Sequence, residues 1–488
     1  MSLLKQLAGQ TVIYGLSKIL PQILHFVVFT SYLTYRFPDQ FDFAVYLDLY
    51  AYATIILVIM TFRMETAFFR YGVQSENRSK AFGAAFFPLV LVVIVSAGLL
   101  YLNSQAFADL INYSHKPYYI KWFALILGFD ALVALPYARM RLENRAKTFL
   151  FYRLVNIFLT VGVVIFSLEF LPILAEKYTW ISYDASNRID SVFIANLIAS
   201  AVIFLLMLKE FLQLEFSFDF SLWKKMMWYS LPLIVVGIAG NINQSFAVPI
   251  QKVFLGEDYQ SNMTNAGIYG AAAKMALLLN LFTTAFNYAA EPFFFNNAGH
   301  KDARKIYGQV ALAFMITAGL VVIGISAYVD IISNMLGPNY REAIPVVPIL
   351  LFAYLFLGLY YNFSIWYKLD DKTYWGAIIS VIGAIITLSV SIYYLPKIGY
   401  IGSAYAALAC YSFMAIAGIV TGKIYYPISY PIKKMLFYLV VIILTVWLMS
   451  FLDKQAIDGV ILFILKGLLI FAFVGVAWFK DGKGLLGK

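Results

Sequence analysis

The sequence predicts an all-α polytopic membrane protein with about fourteen transmembrane helices. Three observations predict it. Apolar residues make up 62% of the 488-residue chain and charged residues only 13%. The apolar residues fall in runs of about twenty, the length a helix needs to cross a hydrocarbon core of about 30 Å. The short loops between runs alternate in positive charge along the whole chain.

Composition excludes several classes. Soluble domains are about 45–50% apolar, and 13% charge is too little to cover a soluble surface of this size. Transmembrane barrel strands alternate over about ten residues, and these runs do not alternate. The single cysteine, Cys410, allows no intramolecular disulfide and reads as a small buried hydrophobe. With three histidines and one cysteine, no structural zinc site is expected. The net charge of +10 does not point to nucleic acid, because the lysines and arginines cluster in the loops of one side. The first apolar run, from Thr11 to Leu33, is too long for a signal-peptide core and holds Lys18, so it is expected to be a mature helix.

The expected spans are 10–33, 42–66, 82–102, 118–138, 148–170, 190–208, 227–250, 265–293, 308–328, 344–366, 375–394, 401–421, 435–451 and 458–479. With the N-terminus in the cytoplasm, the inner loops hold about 22 cations against roughly nine outside. An even number of spans returns the C-terminus to the cytoplasm. The longest outer loop is expected near Glu169–Asp190, and Lys209–Lys225 reads as a short amphipathic connector inside. No loop is long enough for a soluble domain, so no nucleotide site and no cofactor are expected. Gly482–Lys488 imitates part of a P-loop, but lacks the hydroxyl residue and the preceding strand.

The halves repeat. Glu65–Phe69 and Glu291–Phe295 both read E-x-x-F-F, 226 residues apart; Arg141-Leu-Glu-Asn144 and Lys368-Leu-Asp-Asp371 are 227 apart. A repeat of six spans keeps its orientation, so the copies should be related by an axis along the membrane normal. Two such bundles can enclose a cavity and rock against each other. The expected division is 1–220 for the first lobe, 221–430 for the second, and 431–488 for two additional spans and a tail.

Charges inside spans each need a reason, because one at the helix centre costs about 2.5–3.5 kcal/mol. In span 1, Thr11, Tyr14, Lys18, Gln22 and His25 share one helical face, which either lines a cavity or forms a structural polar seam. Span 2 carries Asp48 near its outer end and Arg63 and Glu65 near its inner end; Arg63 either snorkels or faces the interior, with Glu65 as cap or partner. Span 8 carries Lys274, then Asn280, Thr284, Asn287 and Glu291 as a stripe. Span 7 holds Gly237, Gly240, Asn241, Asn243 and Gln244, the mark of close helix approach and of amides that need partners. Asp130 in span 4 is a deep carboxylate, either an ion-coupling group or a structural one, and Arg153 in span 5 either snorkels or reaches the cavity. The balance is cationic, which suits an anionic substrate, above all a phosphate or pyrophosphate.

Three segments carry a family resemblance: Leu7-Ala-Gly-Gln-Thr-Val-Ile-Tyr14-Gly-Leu-Ser17, Glu65-Thr-Ala-Phe-Phe-Arg70-Tyr71, and Gly267-Ile-Tyr269-Gly-Ala-Ala-Ala-Lys274 with Glu291-Pro-Phe-Phe-Phe295. The chain resembles, over nearly its whole length, the polysaccharide transporter (Wzx-type oligosaccharide flippase) family in its Bacteroidetes form. That family shares a superfamily with lipid II flippases and multidrug-and-toxin exporters. The resemblance implies two six-helix lobes plus helices 13 and 14. It implies a transporter, not an enzyme, of the bacterial inner membrane. Undecaprenyl-pyrophosphate-linked oligosaccharide, a cell-surface polysaccharide or lipid II precursor, would be flipped by alternating access, driven by an ion gradient or the membrane potential. Lys18, Arg63 and Lys274 sit on the spans whose cations line the cavity in lipid II flippases. His25, Gln22 and Arg153 join them as cavity candidates, with Asp130, Glu65, Glu291 and Asp48 as coupling or pairing groups. Expected partners are the lipid-linked sugar, membrane lipids and polysaccharide assembly proteins. Where relatives often carry an Asp-Arg or Asp-Lys pair, late in span 7, this chain has Asn243–Lys252 without an acid. The rival readings are a multidrug cation antiporter, a membrane polysaccharide polymerase or ligase, and a scaffold in a membrane complex.

Overall fold

A computed structural model of the chain describes residues 23–24, 29–37, 39–72, 75–143, 145–180, 183–184, 187–212, 218–256, 258–296, 302–370, 372–455 and 457–482. Regular structure among them is helical, without a strand. Twelve helices are long and apolar enough to cross a membrane, and Asp190–Leu206 is a shorter apolar helix of 17 residues. These match spans 2 to 14 of the sequence. Most of span 1 lies outside the described residues.

The helices in order are α1 (Ser31–Arg36), α2 (Gln40–Thr61), α3 (Met64–Tyr71), α4 (Ser75–Leu102), α5 (Ser104–Leu110), α6 (Pro117–Leu142), α7 (Ala146–Ile165), α8 (Leu171–Lys177), α9 (Asp190–Leu206), α10 (Leu208–Leu212), α11 (Phe220–Ser245), α12 (Ala247–Phe254), α13 (Tyr259–Asn296), α14 (Ala303–Ala327), α15 (Val329–Ser333), α16 (Val346–Phe363), α17 (Ile365–Leu369), α18 (Tyr374–Ile398), α19 (Ile401–Tyr425), α20 (Ile432–Leu452) and α21 (Gly459–Ala477). Local chemistry sets several ends. Asp39 caps α2 by accepting from Phe41 N at 2.9 Å, and Asp458 caps α21 through Val460 N and Ile461 N. Pro117 opens α6, where its missing N–H costs nothing. A π-turn, Phe166–Phe170, joins α7 to α8. Span 5 therefore runs to Lys177, past the expected end at 170, because Glu169 finds partners on α1 and need not face water: Tyr32 Oη donates to it at 2.6 Å, and Arg36 pairs with it at 2.5 Å.

The chain divides into two compact units, 1–241 and 242–488, with the boundary inside α11. In the first unit α6 is the hub, packed against α2, α3, α4, α5, α7 and α9. In the second, α16 is the hub, packed against α13, α14, α17 and α19. These are spans 4 and 10, equivalent positions in a six-span repeat. Burial follows: 72% of the apolar window in span 10 is buried, against 11% for Ala146–Lys177 and 17% for span 14. The poorly buried helices expose Leu91, Ile94, Leu102, Phe158, Val460 and Phe471, an apolar cover that suits lipid and not water. The two extra spans, α20 and α21, attach to the second unit through α14. Gly319 makes this close, since a Cβ there would overlap Ile442.

Candidate functional site

Within the first unit, span 2 breaks where the sequence places a cation. Phe62 (φ 47°) and Arg63 (φ 54°) both adopt the left-handed conformation, between α2 and α3. Neither is glycine, so the break costs about 1–2 kcal/mol per residue before any compensation. The compensation is visible. The Arg63 carbonyl accepts from Thr66 N (3.0 Å) and Ala67 N (3.3 Å), starting α3. Its guanidinium pairs with Glu65 at 3.7 Å and lies against Gly237 of α11, where a Cβ would stand 2.7 Å from Nη2. One helical turn on, Asn241 Nδ2 donates to Thr54 O at 3.1 Å and fixes the same contact. Gly237 and Asn241 are thus explained: one clears space for the arginine, the other satisfies a backbone carbonyl. Arg63 keeps 36% of its side chain exposed and Glu65 26%, so the pair remains accessible.

The remaining candidates of this unit lie apart from the break. Asp48 is fully buried and accepts from Tyr113 Oη at 2.8 Å, which ties α2 to the segment between α5 and α6. Asp130 accepts from Ser200 Oγ of α9 at 2.8 Å. Arg153 is exposed, with its guanidinium 4.3 Å from the Tyr137 ring centroid, within electrostatic reach of Asp130. Asp130 and Arg153 are therefore brought together with Tyr137, within the α6–α7–α9 bundle.

At the end of α6 a charged cluster closes the unit. Arg145 grips Glu210 of α10 with two hydrogen bonds, 2.7 and 2.6 Å, and Glu143 bridges Arg139 at 2.7 Å and Arg145 at 3.4 Å. The Arg145 guanidinium holds the Glu210 carboxyl below the usual glutamate range.

In the second unit Lys274 lies half-buried on α13, and no ion pair or hydrogen bond to it is found among the described residues. Asn280, Thr284 and Asn287 follow on the same helix, also half-buried. Glu291 continues the helix, and its side chain lies outside the described ones. Asn243, at the end of α11, is buried with its partners complete: Thr387 Oγ1 donates to Asn243 Oδ1 at 2.9 Å, and Tyr411 Oη donates to Asn243 O at 2.9 Å. Gln251 donates to Ser403 Oγ at 2.9 Å. This segment is held by neutral amides and hydroxyls. Lys18, Gln22 and His25 lie outside the described residues.

Sequence reasoning missed two ion pairs in the extra spans. Lys466, almost fully buried in α21, pairs with Asp453 at 2.5 Å, and Lys434 pairs with Asp481, which also accepts from Tyr438 Oη at 2.8 Å. The signal was present, since Lys466 is a charge inside an apolar run.

The lipid II flippase MurJ in an inward closed conformation is similar over 97% of this chain and 100% of its own, at a TM-score of 0.69 and 14% identity. The fold is shared. An inward-facing multidrug resistance MATE family transporter of the MOP superfamily matches 84% of this chain and 97% of its own (TM-score 0.53, 12% identity). The Vibrio cholerae MATE transporter VcmN in its bent form matches 86% of this chain and 98% of its own (TM-score 0.54, 14% identity). No family model matches the chain, and no curated protein matches it in sequence. The chain is thus a multi-pass helical protein with the fold of these flippase and transporter structures, its extra α20 and α21 included in the full-length likeness to MurJ.

Proposed function

We propose that this protein is a flippase that moves an undecaprenyl-pyrophosphate-linked oligosaccharide across the bacterial inner membrane. Both termini and the cation-rich helix ends face the cytoplasm. The carried lipid is a cell-surface polysaccharide or lipid II precursor, as the resemblance to polysaccharide transporters implies. Alternating access exposes the cations to each side in turn, driven by an ion gradient or the membrane potential.

Lys274 carries the reading. A lysine on a membrane-length helix, without a carboxylate partner among the described residues, has a strong demand for an anion. Arg63 on span 2, held at a strained break, pairs loosely with Glu65 at 3.7 Å and keeps its guanidinium accessible to a further anion. A pyrophosphate can meet either demand with charge-assisted hydrogen bonds. The full-length fold likeness to a lipid II flippase supports the same class of cargo.

The test is a flipping assay in sealed proteoliposomes with a fluorescent undecaprenyl-pyrophosphate sugar and a membrane-impermeant quencher. Wild-type protein is expected to flip, and Arg63→Gln and Lys274→Gln to lose most of the rate. Normal rates in both variants overturn the reading. Similar folds among multidrug transporters make cation export its competitor. Under that reading, removing Lys274 spares or raises export of a cationic dye.

A further inference from the structure

The first unit holds an open groove of about 630 Å³, lined by Tyr71 at the end of α3 and by Ser221, Lys224, Lys225, Trp228 and Tyr229 of α11. It sits at the helix ends that carry the cations, beside the apolar stretch of α11. Lys224 and Lys225 are exposed, and no ion pair to either is found among the described residues. The Arg70 guanidinium stands 4.6 Å from the Tyr229 ring centroid, also without a carboxylate partner among the described residues. Asp219, at the start of α11, is the acid nearest in sequence. Its Oδ1 is committed to Ser221 N, Leu222 N and Ser221 Oγ. Lysines beside Trp and Tyr at a helix end form the pattern that meets phosphates at the depth of lipid head groups.

The groove also leads somewhere. Arg63, at the break, and Arg70, in the last turn of α3, are seven residues apart. Arg63 meets Gly237 of α11 and Arg70 meets Tyr229, so α3 and α11 run antiparallel with cations along their seam. The steps are Lys224 and Lys225 at the rim, Arg70 in the middle and Arg63 at the inner end. From Met64 at the start of α3 to Arg70 is about 9 Å along the axis at 1.5 Å per residue.

We propose that this groove is a loading site, where the pyrophosphate of the lipid-linked substrate binds at the cytoplasmic surface before it reaches Arg63. The assignment rests on the flippase reading for its cargo. The groove itself is tested by binding alone, without transport. Full-length protein in phosphatidylcholine nanodiscs is titrated with undecaprenyl pyrophosphate at low and high salt. The Lys224→Gln/Lys225→Gln double variant is expected to bind about tenfold more weakly at low salt, with a smaller salt dependence. Millimolar inorganic pyrophosphate is expected to compete, and phosphatidylglycerol to compete poorly. In the flipping assay the double variant raises the half-saturating substrate concentration more than it lowers the maximal rate, while Arg63→Gln does the reverse. Unchanged binding in the double variant overturns the proposal. So does equal competition by phosphatidylglycerol, which makes the groove a site for bulk anionic lipid. If wild-type protein binds through these lysines yet flips nothing, the groove stands and the flippase reading falls.

Discussion

Spans 2 and 8 end in the same E-x-x-F-F signature, 226 residues apart, yet their backbones differ. Span 8 is one helix, α13, from Tyr259 through Asn296, and it stays helical across Pro292. Span 2 contains no proline and breaks at Phe62–Arg63. Intrinsic propensity predicts the opposite, since proline is the strongest breaker and Phe and Arg are ordinary helix residues. The break therefore belongs to tertiary contacts: it lets the Arg63 guanidinium lie against Gly237 while Asn241 holds Thr54 O. A repeat can preserve topology while one copy is remodelled around a single cation.

The largest effect is expected at the two cations. Arg63→Gln and Lys274→Gln should each cut flipping by about tenfold or more, as loss of a charge-assisted contact does. If only Lys274→Gln does so, the break in span 2 serves structure alone and the functional half of the comparison fails. Next comes Gly237→Ala, which must push the Arg63 side chain aside. We expect a flipping loss of severalfold in the wild-type background and none beyond that of Arg63→Gln in the double variant, the sign of a shared interaction.

Backbone substitutions sharpen the comparison further. Phe62→Gly accepts the left-handed conformation and should leave thermal stability within about 1 kcal/mol of wild type, because relieved strain offsets lost packing. In the continuous helix α13, Ala285→Gly, within one turn of the repeat-equivalent position 288, should cost about 1 kcal/mol. Equal losses at both sites in thermal unfolding would mean that the break is not a feature of the folded protein.

The loops after spans 4 and 10 are a second unequal pair. Arg145 holds Glu210 in a two-bonded bridge, whereas Lys372 meets Asp370 at 2.8 Å with both side chains more than a third exposed. The Glu210 carboxyl is held below its ordinary value, so its folded form binds protons less readily than its unfolded form. The stability it contributes is present above the unfolded value, about 4.3, and is lost as pH falls through the lower folded value. Unfolding followed from pH 7 to acid should show this loss, and Glu210→Gln should remove it. Asp370→Asn should change stability by less than about 0.5 kcal/mol, the least of these effects, as expected for an exposed pair.

Much of the fold was legible because membrane insertion reads local sequence. Runs of about twenty apolar residues and the alternation of Lys and Arg in short loops mark spans 2 to 14 without reference to neighbours. That the hubs α6 and α16 stand one six-span displacement apart was not legible and came from the packing. The intramembrane charges Arg63, Asp130, Arg153 and Lys274 were legible as exceptions to an apolar rule. Their partners were not. Nothing local in the sequence tells Arg63 that Gly237 will face it, Asp130 that Ser200 will donate to it, or Asn243 that Thr387 and Tyr411 will complete its hydrogen bonds. Those contacts join residues 70 to 174 positions apart. The sequence by itself determined which segments cross the membrane and which side chains are costly there. Only the tertiary structure decided how each cost is met, because a charge in low dielectric is stabilised by whatever polar group packing brings to it.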